Sequence, residues 1–514
     1  MMKNIKLLLF LTVVISFVTK ISGLLREVIT GYYFGASLEL DTFYYIYSIP
    51  ELIMSGLTAA IAIAIIPTIT KKADFDQNDH LFVDRIISIG SLIFIILILV
   101  ALLFTAPILS LVSPNNEITF DYLSIWVLSL IQIVPTYILS IYMGLATRFE
   151  KYKKVTILSL PFNFLIIVFI YFFSEKIGII SIALGMITGI FAQVLYLSWD
   201  LRKNNYLYKP TFNLNDKSTL KEFMLILLPV YFGTVIQRIS IFVDRSLANN
   251  LETGSISALS YADRIIQMVV SIVISTVGMI MFSKISITKD IKETQKIINS
   301  SLIFSIFCLM PITVYMIIYG EDIVNILFNR GQFDEKALHL TTISLVGYSI
   351  GLIGICVRYL LNRVFFANND VRTPTINTLV YSSLNLILSV ILCKFYGLLG
   401  IVLSSSIIMT LSCIPLSIKL HKKYKIFESL NWMDLIKILL SSVGMALSLY
   451  FIALFTEPFS SIYRLLISLV SGSLLYLTFI ILLKIEEMDL GSILIVILRK
   501  LKIIKKNVEV QKGI

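Results

Sequence analysis

The sequence predicts an all-α membrane protein. Fourteen transmembrane helices are expected, as two six-helix lobes in parallel pseudo-repeat around a central cavity, with two extra C-terminal helices. Three observations predict this. Of 514 residues, 57% are hydrophobic and only 15% charged, whereas soluble domains carry about 25% charged residues. Apolar runs longer than ~18 residues, each able to cross a ~30 Å hydrocarbon core, recur from end to end. The connections between them alternate in basic content, and several landmarks return at one fixed offset.

Taken in order, the expected spans cover 5–33, 42–70, 86–112, 122–147, 154–174, 178–199, 219–248, 256–283, 297–319, 338–366, 375–393, 398–418, 433–455 and 462–483. The first is read as a retained helix rather than a cleavable signal. Its apolar run continues into Lys20 and Arg26, and no small-residue cleavage site follows. No stretch is left for a sizeable soluble domain. The domain organisation follows: an N-terminal lobe over 1–200, a C-terminal lobe over 201–425, two further spans over 426–484, and a basic amphipathic tail over 485–514 lying along the inner membrane surface.

Lysine and arginine cluster in every second connection: Lys71, Lys72 and Arg85; Arg148, Lys151, Lys153 and Lys154; Arg202 to Lys221; Lys284 to Lys296; Arg372; and Lys419 to Lys425. The alternate connections hold only Lys176, Arg330, Lys336, Lys394 and Arg464. The positive-inside rule makes the first set cytoplasmic and places both termini inside a bacterial inner membrane. Loop lysines facing anionic lipid account for the net charge of +11, so nucleic acid is not an expected partner. Cys308, Cys356, Cys393 and Cys413 all fall in apolar runs and read as packing residues. His80, His339 and His421 are scattered and form no ligand cluster. The chain has no P-loop, so ATP is not its direct energy source.

A repeat is visible at an offset of 222. Asp41 matches Asp263, Asn163 matches Asn385, and Gly178-Ile179-Ile180 matches Gly400-Ile401-Val402. Six spans separate the copies, so both halves keep the same orientation and substrate is expected where they meet.

Charges inside the spans carry the functional signal. Lys20, Arg26 and Glu27 interrupt the first; Arg238, Asp244 and Arg245 the seventh; Asp263 and Arg264 lie in the eighth; Arg358 and Arg363 in the tenth. An ionised group in hydrocarbon costs at least ~2.5–3.5 kcal/mol, so these residues should face a wet cavity or a partner. A basic cavity suits an anionic headgroup, because arginine forks phosphate oxygens and lysine adds a mobile charge. Ion pairing is the competing role. Asp263 beside Arg264, or Asp41 across the lobe interface, could lock a gate by holding the arginines, and Asp244 could pair with Arg238 or Arg245. Glu27 is not expected to cancel Arg26 directly, since neighbouring residues point to different helix faces.

Several passages together resemble the MurJ (MviN) lipid II flippases, within the multidrug/oligosaccharidyl-lipid/polysaccharide exporter superfamily. They are Thr19-Lys-Ile-Ser-Gly-Leu-Leu-Arg-Glu27, Phe34-Gly35-Ala36, Leu40-Asp41-Thr42-Phe43, Ser260-Tyr-Ala-Asp-Arg264, Leu327-Phe-Asn-Arg-Gly-Gln-Phe333 and Asp370-Val-Arg-Thr-Pro374. The resemblance implies a membrane transporter, not an enzyme, that moves an undecaprenyl-pyrophosphate-linked saccharide between leaflets by alternating access. It implies Lys20, Arg26 and Arg264 as substrate-binding residues; Glu27, Asp41, Glu51 and Asp263 are the candidate gate or ion-pair residues beside them. In some relatives an acid at the place of Asp244 forms a sodium site. Asn385, Ser389 and Ser405 could complete such a site here, with Na+ the one cofactor implied. Two departures stand out: the arginine usual in the second span is absent from Pro50-Glu51-Leu52-Ile53-Met54-Ser55, and Thr58-Ala59-Ala60-Ile61-Ala62 replaces a Glu-Gly-Ala-Phe-Ser-like stretch. A flippase for capsular or exopolysaccharide repeat units, or a drug or cation antiporter, remain the alternative functions. Membrane lipids are the expected surroundings and a monomer the expected state.

Overall fold

The computed structural model describes residues 2–69, 77–112, 118–203, 206–213, 217–288, 290–368 and 370–483. The expected basic tail over 485–514, and Lys71, Lys72 and Lys289 of the basic loops, lie outside the described residues.

The regular structure of the described residues is all helical, because apolar segments of this length must satisfy their backbone groups internally. The first half comprises α1 (Met2–Phe34), α2 (Leu38–Ile69), α3 (Gln77–Leu103), α4 (Thr105–Val112), α5 (Phe120–Ile131), α6 (Ile133–Arg148), α7 (Tyr152–Ile157), α8 (Ser159–Ile177) and α9 (Ile180–Arg202). The second opens with α10 (Lys217–Asn249) and α11 (Ser255–Val273), and a π turn at Ile274–Gly278 leads into α12 (Met279–Ile287). There follow α13 (Ile291–Ile318), α14 (Gly320–Phe328), α15 (Glu335–Ile350), α16 (Leu352–Ala367), α17 (Arg372–Leu411) and α18 (Cys413–Tyr424). Last come α19 (Trp432–Thr456) and α20 (Ser461–Leu482).

Among the described residues, ten helices are long and apolar enough to cross a membrane, or eleven when α15 and α16, bent by 48°, are taken as one span. Among the described residues, each of the fourteen expected spans overlaps a helix or a run of consecutive helices. One 40-residue element, α17, covers two of them because Gly397 interrupts it with φ 55° and ψ −131°. Gly178, between α8 and α9, has nearly the same conformation, φ 56° and ψ −137°. The structural counterpart of Gly178 is therefore Gly397, three residues before the Gly400 that the sequence offset selected. That left-handed break turns the chain back on itself in both halves, at a φ that costs glycine nothing.

Packing separates into two groups. In the first half α2 packs on α6, and α8 on α9 and α1; in the second, α10 packs on α17, and α11 and α17 on α15. The groups meet along α2 and α10, and where α1 and α2 touch α11. The outer pair α19 and α20 lies against α13 through a separate cluster centred on Tyr319, Ile438, Leu449 and Tyr476.

Polar contacts sort the helix ends onto two sides. On one, Lys151 binds Asp200 at 2.6 Å and Lys154 pairs with the same carboxylate. Lys423 donates to Asn368, and Asn299 donates to the carbonyl of Ile426. On the other, Arg464 reaches Asp322 at 3.3 Å, and the α1–α2 corner contacts the starts of α11 and α15. The first side holds the lysine-rich connections and the second the lysine-poor ones.

Candidate functional site

Two glutamates organise the intramembrane charges. Glu27, on α1, is buried and receives donors from three directions. Arg26 pairs with its Oε1, Arg264 on α11 donates to the same oxygen at 3.2 Å, and the Tyr44 hydroxyl donates to Oε2 at 2.9 Å. Arg26 also donates to Asn163 Oδ1 at 3.3 Å, and Asn163 donates to Ser22 Oγ at 2.9 Å. Gly23 leaves room here: a Cβ built on it would stand 3.8 Å from the Arg264 guanidinium. Lys20, one face along α1, is exposed and close enough to Arg264 to repel it.

The direct Arg26–Glu27 pair corrects the expectation that adjacent residues would not meet. Their Cα–Cβ bonds diverge, but the long arginine stem swings its guanidinium back across the helix surface to a carboxylate that would otherwise be buried with less compensation.

Glu51, on α2, forms a second node. Arg238 Nη1 donates to its Oε1 at 3.2 Å and Arg245 Nη1 to its Oε2 at 3.1 Å. Arg245 also donates to the Tyr44 carbonyl at 3.1 Å and lies over the Tyr44 ring, 5.8 Å from its centroid. Tyr44 thus links the two nodes. Glu51 borders a pocket of about 220 Å³ lined also by Tyr47, Thr58, Thr136 and Gln193. Its ion-pair role is as expected, while the expected pairing of Asp244 with Arg238 or Arg245 is corrected: both arginines go to Glu51.

Asp41 and Asp263 also depart from expectation. Neither holds an arginine. Asp41 is buried and accepts from the backbone N–H groups of Gly254 (2.6 Å) and Ser257 (2.7 Å) and from the Ser257 hydroxyl (2.6 Å). It caps the N-terminus of α11 from a distant helix. The cap position itself is Gly254, whose φ of 96° suits glycine and which has no side chain to cap with. Asp263 is exposed and accepts from Gln267 at 3.2 Å, because one residue along α11 turns it away from the face that carries Arg264 to Glu27. Arg358 joins neither node; it is buried against α17, donating to Thr378 Oγ1 at 2.9 Å.

The remaining expected residues do converge. Asp244 is buried with Ser389, Ser405 and Asn385 in reach. Asn385 donates to Ser240 Oγ at 2.8 Å, and Ser389 shares a hydrogen bond with Ser404 at 2.6 Å. Asp244 Oδ1 and Asn385 Oδ1 are buried without a hydrogen-bond partner among the described residues.

A family model described as "Lipid II flippase MurJ" matches residues 30–472. The chain belongs to the MurJ family. Relatives named "Probable lipid II flippase MurJ" include one from Borreliella burgdorferi, 26% identical over 87% of this chain and 89% of its own length. Another, from Thermotoga maritima, is 24% identical over 92% and 96%. Among solved structures, "Lipid II flippase MurJ, inward closed conformation" aligns with TM-score 0.79 at 23% identity, covering 96% of this chain and all of that one. An inward-facing multidrug resistance MATE transporter of the MOP superfamily aligns with TM-score 0.65 at 12% identity, over 82% and 99%. At these identities the two structures establish the shared fold.

Within this MurJ-family chain the sequence missed the second node. The available signal was spacing: Arg238 and Arg245 are seven residues apart, two helical turns, and so share a face of α10. It also left Asn163 as a mere landmark. The structure shows why it recurs. Asn163–Ser22 and Asn385–Ser240 are the same hydrogen bond in the two halves. The matching partners, Arg26 and Asp244, lie four residues after Ser22 and Ser240 respectively. Asp41 and Asp263 are not equivalent, since Asp41 lies in the first turn of α2 and Asp263 is a full two turns into α11.

Proposed function

We propose that this chain flips undecaprenyl-pyrophosphate-linked peptidoglycan precursor, lipid II, from the cytoplasmic to the outer leaflet of a bacterial inner membrane. It is a transporter of the MurJ family rather than an enzyme. The observation that carries the reading is the convergence of Arg26 and Arg264, from separate halves, on Glu27, with Lys20 beside them. A diphosphate offers about two negative charges and several oxygens that guanidinium forks can take bidentately. Cargo phosphate would exchange with Glu27 for the same donors. The cationic lining disfavours an antiporter of cationic drugs, and the family match favours lipid II over capsular repeat units.

Alternating access needs two gates. The α1–α2 corner closes one of them, with Tyr261 donating to the Gly35 carbonyl at 2.6 Å, Gln332 N–H to the Tyr32 carbonyl at 3.0 Å, and Asp41 capping α11. By the distribution of lysine this is the outer gate, and both termini lie inside. The lobes are 1–200 and 201–425, with 426–484 appended, and the lipid tail stays in the bilayer while the headgroup crosses.

Energy comes from the membrane potential. Each charge moved through 100 mV is worth ~2.3 kcal/mol, so two negative charges leaving a negative interior gain roughly 4–5 kcal/mol. Sodium is a second contributor. The residues present fit it: Asp244 Oδ1 and Asn385 Oδ1 are buried, unpartnered hard oxygens, with two serine hydroxyls beside them. In the first half the equivalent asparagine oxygen accepts from the Arg26 guanidinium. A sodium ion held there would supply to the second half the positive charge that Arg26 supplies to the first. Asp244, Asn385, Ser389 and Ser405 would hold it.

Complementation of a strain depleted of its own lipid II flippase tests the function. Wild type should restore growth, while Arg26→Ala and Arg264→Ala, present at wild-type levels in the membrane, should not. Failure of the wild type to rescue, with activity in a capsule-export strain, would move the assignment to repeat-unit transport. Sodium is tested separately by thermal stability in NaCl against choline chloride. Wild type should melt higher in sodium, because ligand binding to the folded state stabilises it, and Asp244→Asn should erase the difference.

A further inference from the structure

The α2 helix carries no lysine or arginine anywhere between Leu38 and Ile69. Its one intramembrane charge at mid-length is Glu51, and α10 answers it with two arginines. A purely structural pair would need one. Two guanidiniums on one carboxylate leave a positive charge over, and Arg238 is not sequestered: 39% of its side chain is exposed, against 26% for Glu51 and 16% for Arg245. Glu51 opens onto a pocket lined by hydroxyls and an amide, from Thr58, Thr136 and Gln193. Tyr44 joins the two nodes, its hydroxyl donating to Glu27 and its carbonyl accepting from Arg245, while Tyr47 lines the pocket beside Glu51. Five cations, Lys20, Arg26, Arg238, Arg245 and Arg264, thus stand with Glu27 and Glu51.

We propose that Arg238 and Arg245, presented by Glu51, form a second anion-binding subsite of the cavity, taking a second anionic group of the same lipid-linked headgroup that Arg26 and Arg264 engage. The inference rests on the function assigned above and deepens it. The ligand chemistry is an oxyanion on a polyprenyl-diphosphate-linked saccharide, either the second phosphate or a carboxylate borne by the saccharide moiety. Glu51 holds the two guanidiniums next to the pocket that it borders, and an arriving oxyanion displaces it. Charge-assisted contacts of this kind are strong in a partly dehydrated site. The subsite spans both halves, with Glu51 on α2 and the arginines on α10. Its occupation therefore also loosens one of the inter-half ion pairs that this conformation holds closed.

The test is equilibrium binding to the full chain in nanodiscs, with lipid II and with undecaprenyl diphosphate as probes. The Arg238→Gln/Arg245→Gln variant should weaken lipid II binding by about tenfold or more, roughly 1.4 kcal/mol. If undecaprenyl diphosphate weakens equally, the subsite takes a phosphate; if it binds as before, the subsite takes an acid on the saccharide moiety. Glu51→Gln removes the competing carboxylate and should bind lipid II at least as tightly as wild type. Arg238→Gln alone, at the more exposed position, guards against misfolding and should show a smaller loss in the same direction. Lipid II binding by the double variant within twofold of wild type, with Arg26→Gln weakened, would overturn the subsite and leave the main assignment standing. A loss in Glu51→Gln matching that of the arginine variant would also overturn it, by showing a structural pair. Wild type that fails to bind lipid II at all would instead overturn the function on which the inference rests.

Discussion

At the scale of single residues, stability and function separate within one cluster. Glu27 has 6% of its side chain exposed and holds two guanidiniums and a phenol; Arg264 has 36% exposed. Removing a buried partner leaves uncompensated charge and costs about 3–5 kcal/mol, whereas a half-exposed guanidinium remains hydrated. Glu27→Ala should therefore lower Tm and membrane levels markedly. Arg264→Ala should leave Tm within a few degrees of wild type while abolishing transport. A melting curve and a transport assay on both proteins check this, and a large Tm loss in Arg264→Ala would make that residue structural. The sequence showed that these charges had to face something, because hydropathy exposes any ion in a span. It did not show which partner each would choose. Arg26 with Glu27, and Glu51 with Arg238 and Arg245, depend on rotamers and on helix rotation, which periodicity alone does not specify.

At the scale of elements, the α1–α2 corner depends on turns that glycine permits. Gly254 cannot cap α11, so Asp41 does so from α2, tying together helices more than two hundred residues apart in sequence. At Gly35, φ is 59° and a Cβ would run into the Gln332 carbonyl across the gate. Asp41→Ala should cost about 1–2 kcal/mol, the usual worth of an N-cap, read as a lower Tm. It should also increase labelling at Ala36→Cys by a membrane-impermeant thiol reagent, in a protein whose four native cysteines are serine. Unchanged labelling would mean that the cap does not hold the gate. The motif containing Asp41 was conspicuous in the sequence, but its partner was not. The sequence read Asp41 as a gate residue holding an arginine across the lobe interface, whereas tertiary packing brings Gly254 and Ser257 to it. The spans, by contrast, were largely legible, since helix length and apolarity are local, although α3 begins at Gln77 rather than at the expected 86. The repeat was legible at Asn163 and Asn385, where a hydrogen bond enforces it, and drifted by three residues at Gly178, where only backbone conformation does.

At the scale of the whole molecule, two groups of helices share an electrostatic seam. Glu27 and Glu51 come from the first half, and Arg264, Arg238 and Arg245 from the second. If cargo oxyanions compete for those arginines, as proposed above, binding and unlocking are one event. Sidedness is checked by labelling: Lys336→Cys should react from outside intact cells and Lys422→Cys only after permeabilisation. The reverse pattern would invert the transport direction. The most direct test of the account is lipid II flipping in proteoliposomes, followed by the accessibility of its headgroup under an inside-negative potential. Wild type should translocate, and Arg26→Ala and Arg264→Ala, equally folded and reconstituted, should fall to the protein-free rate. Flipping by both variants at the wild-type rate would contradict the claim that these arginines carry the headgroup across.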